Sequence, residues 1–173
     1  MAEVAAQIAN GGIRYKPQFV KYVEGLDGNI AKSYPPIVEN RMTIDPEALA
    51  DVKDAMADVV NGVGGTAHKA HLDNIIVCGK TGTAQVVGDK GPSSEDETED
   101  KTPEQFKDHA WFIAFAPKDH PTIAAACIIE HGGHGGSASA PVIHDVFQRY
   151  FQLYPPPPEP AIAHVLEDED SSR

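Results

Sequence analysis

The sequence predicts an α+β domain, an antiparallel sheet with flanking helices. Three observations carry that expectation. Two apolar runs, residues 109–116 and 122–130, are joined by a short polar stretch that begins with Pro117 and ends with Pro121, the pattern of an antiparallel hairpin. A third apolar run, residues 75–87, reads as another strand. Segments with apolar residues at helical spacing lie on either side of these runs.

Taken in order, residues 2–9 read as the last turns of a helix, with Val4, Ala5 and Ile8 on one face. Asn10-Gly11-Gly12 is its stop, because glycine accepts the left-handed conformation that caps a helix. Little helix precedes that stop, as expected of a chain that begins inside an element. Residues 13–44 alternate in places, and Asp27-Gly28 between such runs predicts a hairpin whose second half is broken by Tyr34-Pro35-Pro36. Asp45-Pro46 opens a helix, Asp as N-cap and Pro in the first turn. Leu49, Val52, Met56, Val59, Val60 and Val63 continue it, and Gly62, Gly64 and Gly65 end it. Pro141 is expected to start the final helix, with Val142, Ile143, Val146, Phe147, Tyr150 and Phe151 on one face. The predicted organisation is one domain over residues 1–153, containing a mobile acidic loop at 88–108, and a Pro-rich acidic disordered tail at 154–173.

Composition narrows the function. A chain of 173 residues, 41% of them apolar, is long enough for one domain with a core. No apolar run is long enough to span a membrane, and no signal peptide is evident. The net charge of −12 argues against a nucleic-acid partner. Much of it is local: residues 88–108 hold 8 acids and 3 bases, and residues 154–173 hold 5 acids and 1 base. These are read as solvated segments, not as an acidic binding face. Cys78 and Cys127 both sit in apolar runs and are read as buried free thiols.

One stretch is at odds with its own pattern. Residues 75–88, IIVCGKTGTAQVVG, interrupt an apolar strand with a cation, two hydroxyls and a bare backbone. A phosphate loop would need glycine where Asn74 stands, and a flexible cradle where Ile75, Ile76, Val77 and Cys78 stand. A merely structural turn at Gly82 accounts for the glycine alone. An edge strand that receives an extended ligand accounts for every odd residue. Gly82 leaves the backbone bare for β-pairing, Thr81 and Thr83 offer hydroxyls to a carboxylate, and Lys80 attracts and orients it. A backbone N–H after the glycine can face a developing oxyanion.

With these residues the chain resembles the C-terminal part of the transpeptidase domain of class B penicillin-binding proteins, most like penicillin-binding protein 2. The resemblance covers residues 1–153. It rests on IANGG (8–12), GGTA (64–67), GKTGTAQV (79–86), HAWFIAFAP (109–117), EHGGHGG (130–136) and SAPV (139–142) in that family's order. Lys-Thr-Gly is a motif shared with serine β-lactamases, but those enzymes are shorter and lack the HAWFIAFAP and EHGGHGG pattern. The resemblance implies a partial penicillin-binding/β-lactamase-like transpeptidase domain. It implies a parent enzyme of serine type that cross-links peptidoglycan stem peptides through an acyl-enzyme and is acylated by β-lactam antibiotics. In that reading Lys80 lies in the cleft, Thr81 and Thr83 bind the substrate carboxylate, Gly82 keeps the strand accessible, and the Thr83 N–H is half of the oxyanion hole. No cofactor and no metal is implied. The implied partners are a membrane glycosyltransferase and other elongation proteins, at the periplasmic face of the bacterial inner membrane.

The nucleophile is absent from this chain. None of the serines, at 33, 93, 94, 137, 139, 171 and 172, has lysine three residues later or asparagine two later. Thr66-Ala67-His68-Lys69 and Thr98-Glu99-Asp100-Lys101 match only if threonine replaces serine, and neither begins a helix that would present a nucleophile. The expectation is therefore a chain inactive on its own, missing the N-terminal half of the domain. The competing expectation is a non-catalytic module that binds β-lactams or peptides. His68, His71, His131 and His134 lack a carboxylate or cysteine at ligand spacing and are read as loop histidines beside the cleft. His144 is placed on a helix surface, and Trp111 in the strand core.

Overall fold

Residues 109–116 make the middle of the sheet because both of their faces are apolar. Phe112, Ala114 and Ala116 point to one side, Ile113 and Phe115 to the other, and all five are buried. The computed structural model describes residues 1–86 and 103–156. In chain order its elements are α1 (Ala2–Ala9), β1 (Ile13–Tyr15), β2 (Tyr22–Glu24), β3 (Ile30–Ser33), β4 (Val38–Arg41), α2 (Pro46–Asn61), β5 (Cys78–Ala84), β6 (His109–Ala116), β7 (Ile123–Ile129) and α3 (Gly135–Leu153). Short 3₁₀ turns stand at His68–Ala70 and Glu104–Phe106. The main sheet has the order β5-β6-β7, antiparallel throughout.

Each face of that sheet is covered by its own helices. On one side α3 sets Ile143, Phe147 and Phe151 against Phe112, Ala114 and Ala116, with Val60 and Val77 completing the cluster. On the other, Ala9 of α1 and Met56 and Ala57 of α2 pack on Cys78 and Phe115. Each fully buried phenylalanine contributes on the order of 1.5–3 kcal/mol of transfer free energy, so β6 is the thermodynamic centre of the molecule.

The predicted caps are present. The Asp45 carboxylate accepts from the Glu47 N–H at 3.1 Å, and Pro46 is the first residue of α2. Gly11, at φ 85°, lets the Gly12 N–H donate to the Gln7 carbonyl at 2.7 Å, which closes α1. The Asp27-Gly28 hairpin joins β2 to β3, and Tyr34-Pro35-Pro36 separates β3 from β4.

Four expectations need correction. The strand expected at 75–87 starts only at Cys78, because the Asn61 side-chain amide donates to the Val77 carbonyl at 2.8 Å and takes the place of a ladder partner. It ends at Ala84, and the Val86 N–H turns to the Asp108 carboxylate at 3.3 Å. The last helix begins at Gly135, so Pro141 lies inside it. Gly135 and Gly136 are there for closeness: a Cβ on either would stand 1.9 Å from a carbonyl oxygen, that of Trp111 or of Thr66. The apolar faces are narrower than periodicity implied, since Val4, Val52, Val63, Val142 and Val146 are exposed. His144 is half-buried, its Nδ1 hydrogen-bonded to the His71 carbonyl at 2.9 Å.

Of the expected acidic loop, residues 103–108 are described, and its last two residues are attached to the body, where the Asp108 carbonyl accepts from the Gly133 N–H at 2.9 Å and the Lys107 carbonyl from the His131 ring at 3.1 Å. Residues 88–102 of that loop, and residues 157–173 of the expected tail, lie outside the described residues.

Candidate functional site

The Lys-Thr-Gly stretch changes character along β5. Cys78 and Gly79 are buried, and Gly79 is required there: a Cβ would stand 2.4 Å from the Phe112 ring. From Lys80 onward the strand leaves the core. Lys80 and Thr83 are exposed, and Thr81 and Gly82 are half-buried. Their partners across the ladder are Ile113 for Lys80, Phe112 for Thr81, half-buried Trp111 for Gly82 and Ala110 for Thr83. Among the described residues β6 is the strand partner of β5, so the other edge is open. Backbone groups alternate between the two sides of an antiparallel strand, which leaves every second residue of β5 with donors and acceptors on that edge.

The side chains along this edge are engaged. Lys80 Nζ donates to the Thr81 carbonyl at 2.8 Å. Thr81 Oγ1 lies 3.2 Å from Thr66 Oγ1. Thr66 comes from the turn after α2, which is fixed by the Ala67 N–H donating to the Val59 carbonyl at 2.9 Å. Gly136 rests on the Thr66 carbonyl and Gly135 on the Trp111 and Gly82 carbonyls. The first turn of α3 thus sits over the β5–β6 ladder, with its positive dipole end beside Thr66 and Thr81. Lysine, two hydroxyls and a helix start converge on an open strand edge. That arrangement suits an extended ligand carrying an anion.

Four histidines are held by hydrogen bonds of their own. The His131 N–H donates to His109 Nδ1 at 3.0 Å, which assigns the proton of neutral His109 to Nε2. His131, whose backbone φ is 56°, in turn donates from ring Nδ1 to the Lys107 carbonyl at 3.1 Å. These bonds clamp the glycine-rich turn that feeds α3. His68 and His71 stack at 5.5 Å, His68 Nδ1 bonded to the Val60 carbonyl and His71 Nδ1 to the Asn61 amide oxygen. A cavity of about 520 Å³ opens near Asn61, His71, Asp73 and Lys118, and it shares no residue with Lys80–Thr83. That separation is consistent with a ligand site that is an open ledge along a strand.

Lys80, Thr81, Gly82 and Thr83 follow one another on β5, and the fold brings Thr66 to Thr81, and Gly135 and Gly136 to the backbone around them. The GGTA segment was visible in the sequence only as a landmark. Its contact with Thr81 spans 15 residues and leaves no periodic trace.

Residues 1–148 match the family model described as the penicillin binding protein transpeptidase domain. The peptidoglycan D,D-transpeptidase MrdA of Haemophilus influenzae is 31% identical over 176 residues, covering 100% of this chain and 26% of that protein. The peptidoglycan D,D-transpeptidase PbpA of Mycolicibacterium smegmatis is 33% identical over 146 residues, covering 82% of this chain and 26% of that protein. The structure of penicillin-binding protein A from M. tuberculosis as a ceftriaxone acyl-enzyme superposes with a TM-score of 0.65 at 29% identity, over 85% of this chain and 30% of that one. The chain spans about a quarter of the length of these curated relatives.

Proposed function

The chain belongs to the penicillin binding protein transpeptidase family, and from that premise we propose that it forms the Lys-Thr-Gly wall of a peptidoglycan D,D-transpeptidase. The stem peptide lies along the open edge of β5 as an added strand. Its terminal carboxylate meets the Thr81 and Thr83 hydroxyls, the Lys80 ammonium and the start of α3. The Thr83 N–H faces the scissile carbonyl and holds the oxyanion as it forms. A serine from a Ser-x-x-Lys segment outside this sequence attacks, an acyl-enzyme forms and the terminal D-alanine leaves. β-Lactams enter as mimics of the donor peptide, as the acyl-enzyme of the M. tuberculosis relative supports. The site of action is the outer face of the bacterial inner membrane, in company with a membrane glycosyltransferase and elongation proteins. The observation that carries the reading is the convergence of Lys80, Thr81 and Thr66 with the first turn of α3 at a strand edge that is open among the described residues.

Fluorescent penicillin, read by intact mass, tests it. The chain alone is compared with the chain combined with the preceding Ser-x-x-Lys segment. Label on the added serine, in the mixture only, is the expected result. Label on the isolated chain would relocate the nucleophile to it, with Thr66 the first residue to test. No label in either sample overturns the transpeptidase reading and leaves reversible peptide binding to be measured.

A further inference from the structure

We propose that Thr66 is a positioning residue for the β5 edge: its hydroxyl donates to Thr81 Oγ1, so that the Thr81 proton is free for an anionic ligand. The inference rests on the functional reading above and extends it to a residue outside the Lys-Thr-Gly motif. The two oxygens are 3.2 Å apart and either can donate. The direction matters, because a threonine hydroxyl has one proton and two lone pairs. Were Thr81 the donor, its oxygen would present only lone pairs to an incoming carboxylate and repel it. With Thr66 as donor, Thr81 keeps its proton for the carboxylate, and the resulting chain of hydrogen bonds is polarised toward the anion.

Thr66 is held tightly enough to do this. Its turn is pinned by the Gly65 N–H to the Gly62 carbonyl at 3.0 Å and by the Ala67 N–H to the Val59 carbonyl at 2.9 Å. Ala67 is fully buried, and Gly136 closes on the Thr66 carbonyl. Thr81 is held from its other end by Lys80 Nζ on its carbonyl at 2.8 Å. The backbones that carry both hydroxyls are thus held in place, while Thr66 itself is exposed and its side chain supports no core packing.

The test is the rate of acylation by benzylpenicillin in the polypeptide that joins this chain to its Ser-x-x-Lys segment. Thr66→Val keeps the shape and removes the hydroxyl, and is expected to slow acylation about three- to tenfold. Thr66→Ser restores the hydroxyl and is expected to restore most of the rate. In a Thr81→Val background, Thr66→Val is expected to add nothing, because the two act as one unit. With the methyl ester of penicillin, which has no free carboxylate, Thr66→Val is expected to change the rate little. Thr66→Val at the wild-type rate, losses that add in the Thr81→Val background, or an equal loss with the ester would each overturn the inference. Thr81→Val at the wild-type rate overturns the functional reading of the edge, and the inference with it.

Discussion

Cys78 is the first residue of β5, and it has no exposed surface. Burial pushes its thiol up from 9.0 to about 11, with nearby Lys118 and Lys53 opposing the shift. The sign of the effect on stability follows from proton binding. Below about pH 9 both the folded and the unfolded chain hold the proton, and the thiol contributes no pH dependence. Between about pH 9 and 11 the unfolded chain releases it while the folded chain retains it, so stability falls as pH rises. Urea midpoints measured at about pH 8 and about pH 10.5 check this. The fall between the two is expected to be smaller in Cys78→Ala than in the parent chain. An equal fall in both would assign the alkaline loss to other groups.

Elements meet through glycine where the sequence reads as loop. The first turn of α3 reaches the β5–β6 ladder only because Gly136 and Gly135 have no Cβ, and the atoms in the way are backbone carbonyl oxygens that cannot rotate aside. Gly136→Ala is therefore expected to lift the helix start off Thr66. Overpacking of this kind destabilises by about 1–3 kcal/mol, readable as a lowered urea midpoint with an unchanged slope. A midpoint equal to that of the parent would show that α3 docks more loosely than its contacts imply. The same glycines mark the limit of what the sequence shows. Local chemistry was legible: Asp45-Pro46 at the start of α2, Asn10-Gly11-Gly12 after α1, the proline-bounded turn between β6 and β7, and the Lys-Thr-Gly strand itself. The start of α3 was not, because a glycine pair is a turn signal unless the surface it must approach is known. The start of β5 was missed for a related reason. Ile75, Ile76 and Val77 favour a strand, but the Asn61 side chain supplies the hydrogen bond that a strand would have. Thr66 and Thr81 are joined by tertiary folding alone.

At the scale of the whole molecule, order is distributed unevenly. Residues 13–41 form a ribbon in which β1 pairs with β4 and β2 with β3. Among the described residues only β1 touches an element outside the ribbon, α1, whereas β2 and β3 touch only each other. Phe19 and Leu26 are fully exposed on it. A two-stranded ribbon with no covering layer is marginally stable in water, while β6 is buried on both faces and paired on both edges. Amides open with free energies that range from near zero at such margins to the global value in the core. The global value for a domain of this size is about 5–15 kcal/mol. Hydrogen exchange read by mass spectrometry is then expected to proceed at least about a hundredfold faster in peptides from 16–37 than in peptides from 110–116. Substituting Phe19 or Leu26 by serine should leave the slow exchange of β6 unchanged, because neither side chain reaches the core. If instead the ribbon exchanges as slowly as β6 in dilute solution, the ribbon is held by something other than its own two pairs of strands. Repeating the measurement over a range of protein concentration then decides between a second copy, whose protection grows with concentration, and a contact within the chain, whose protection does not.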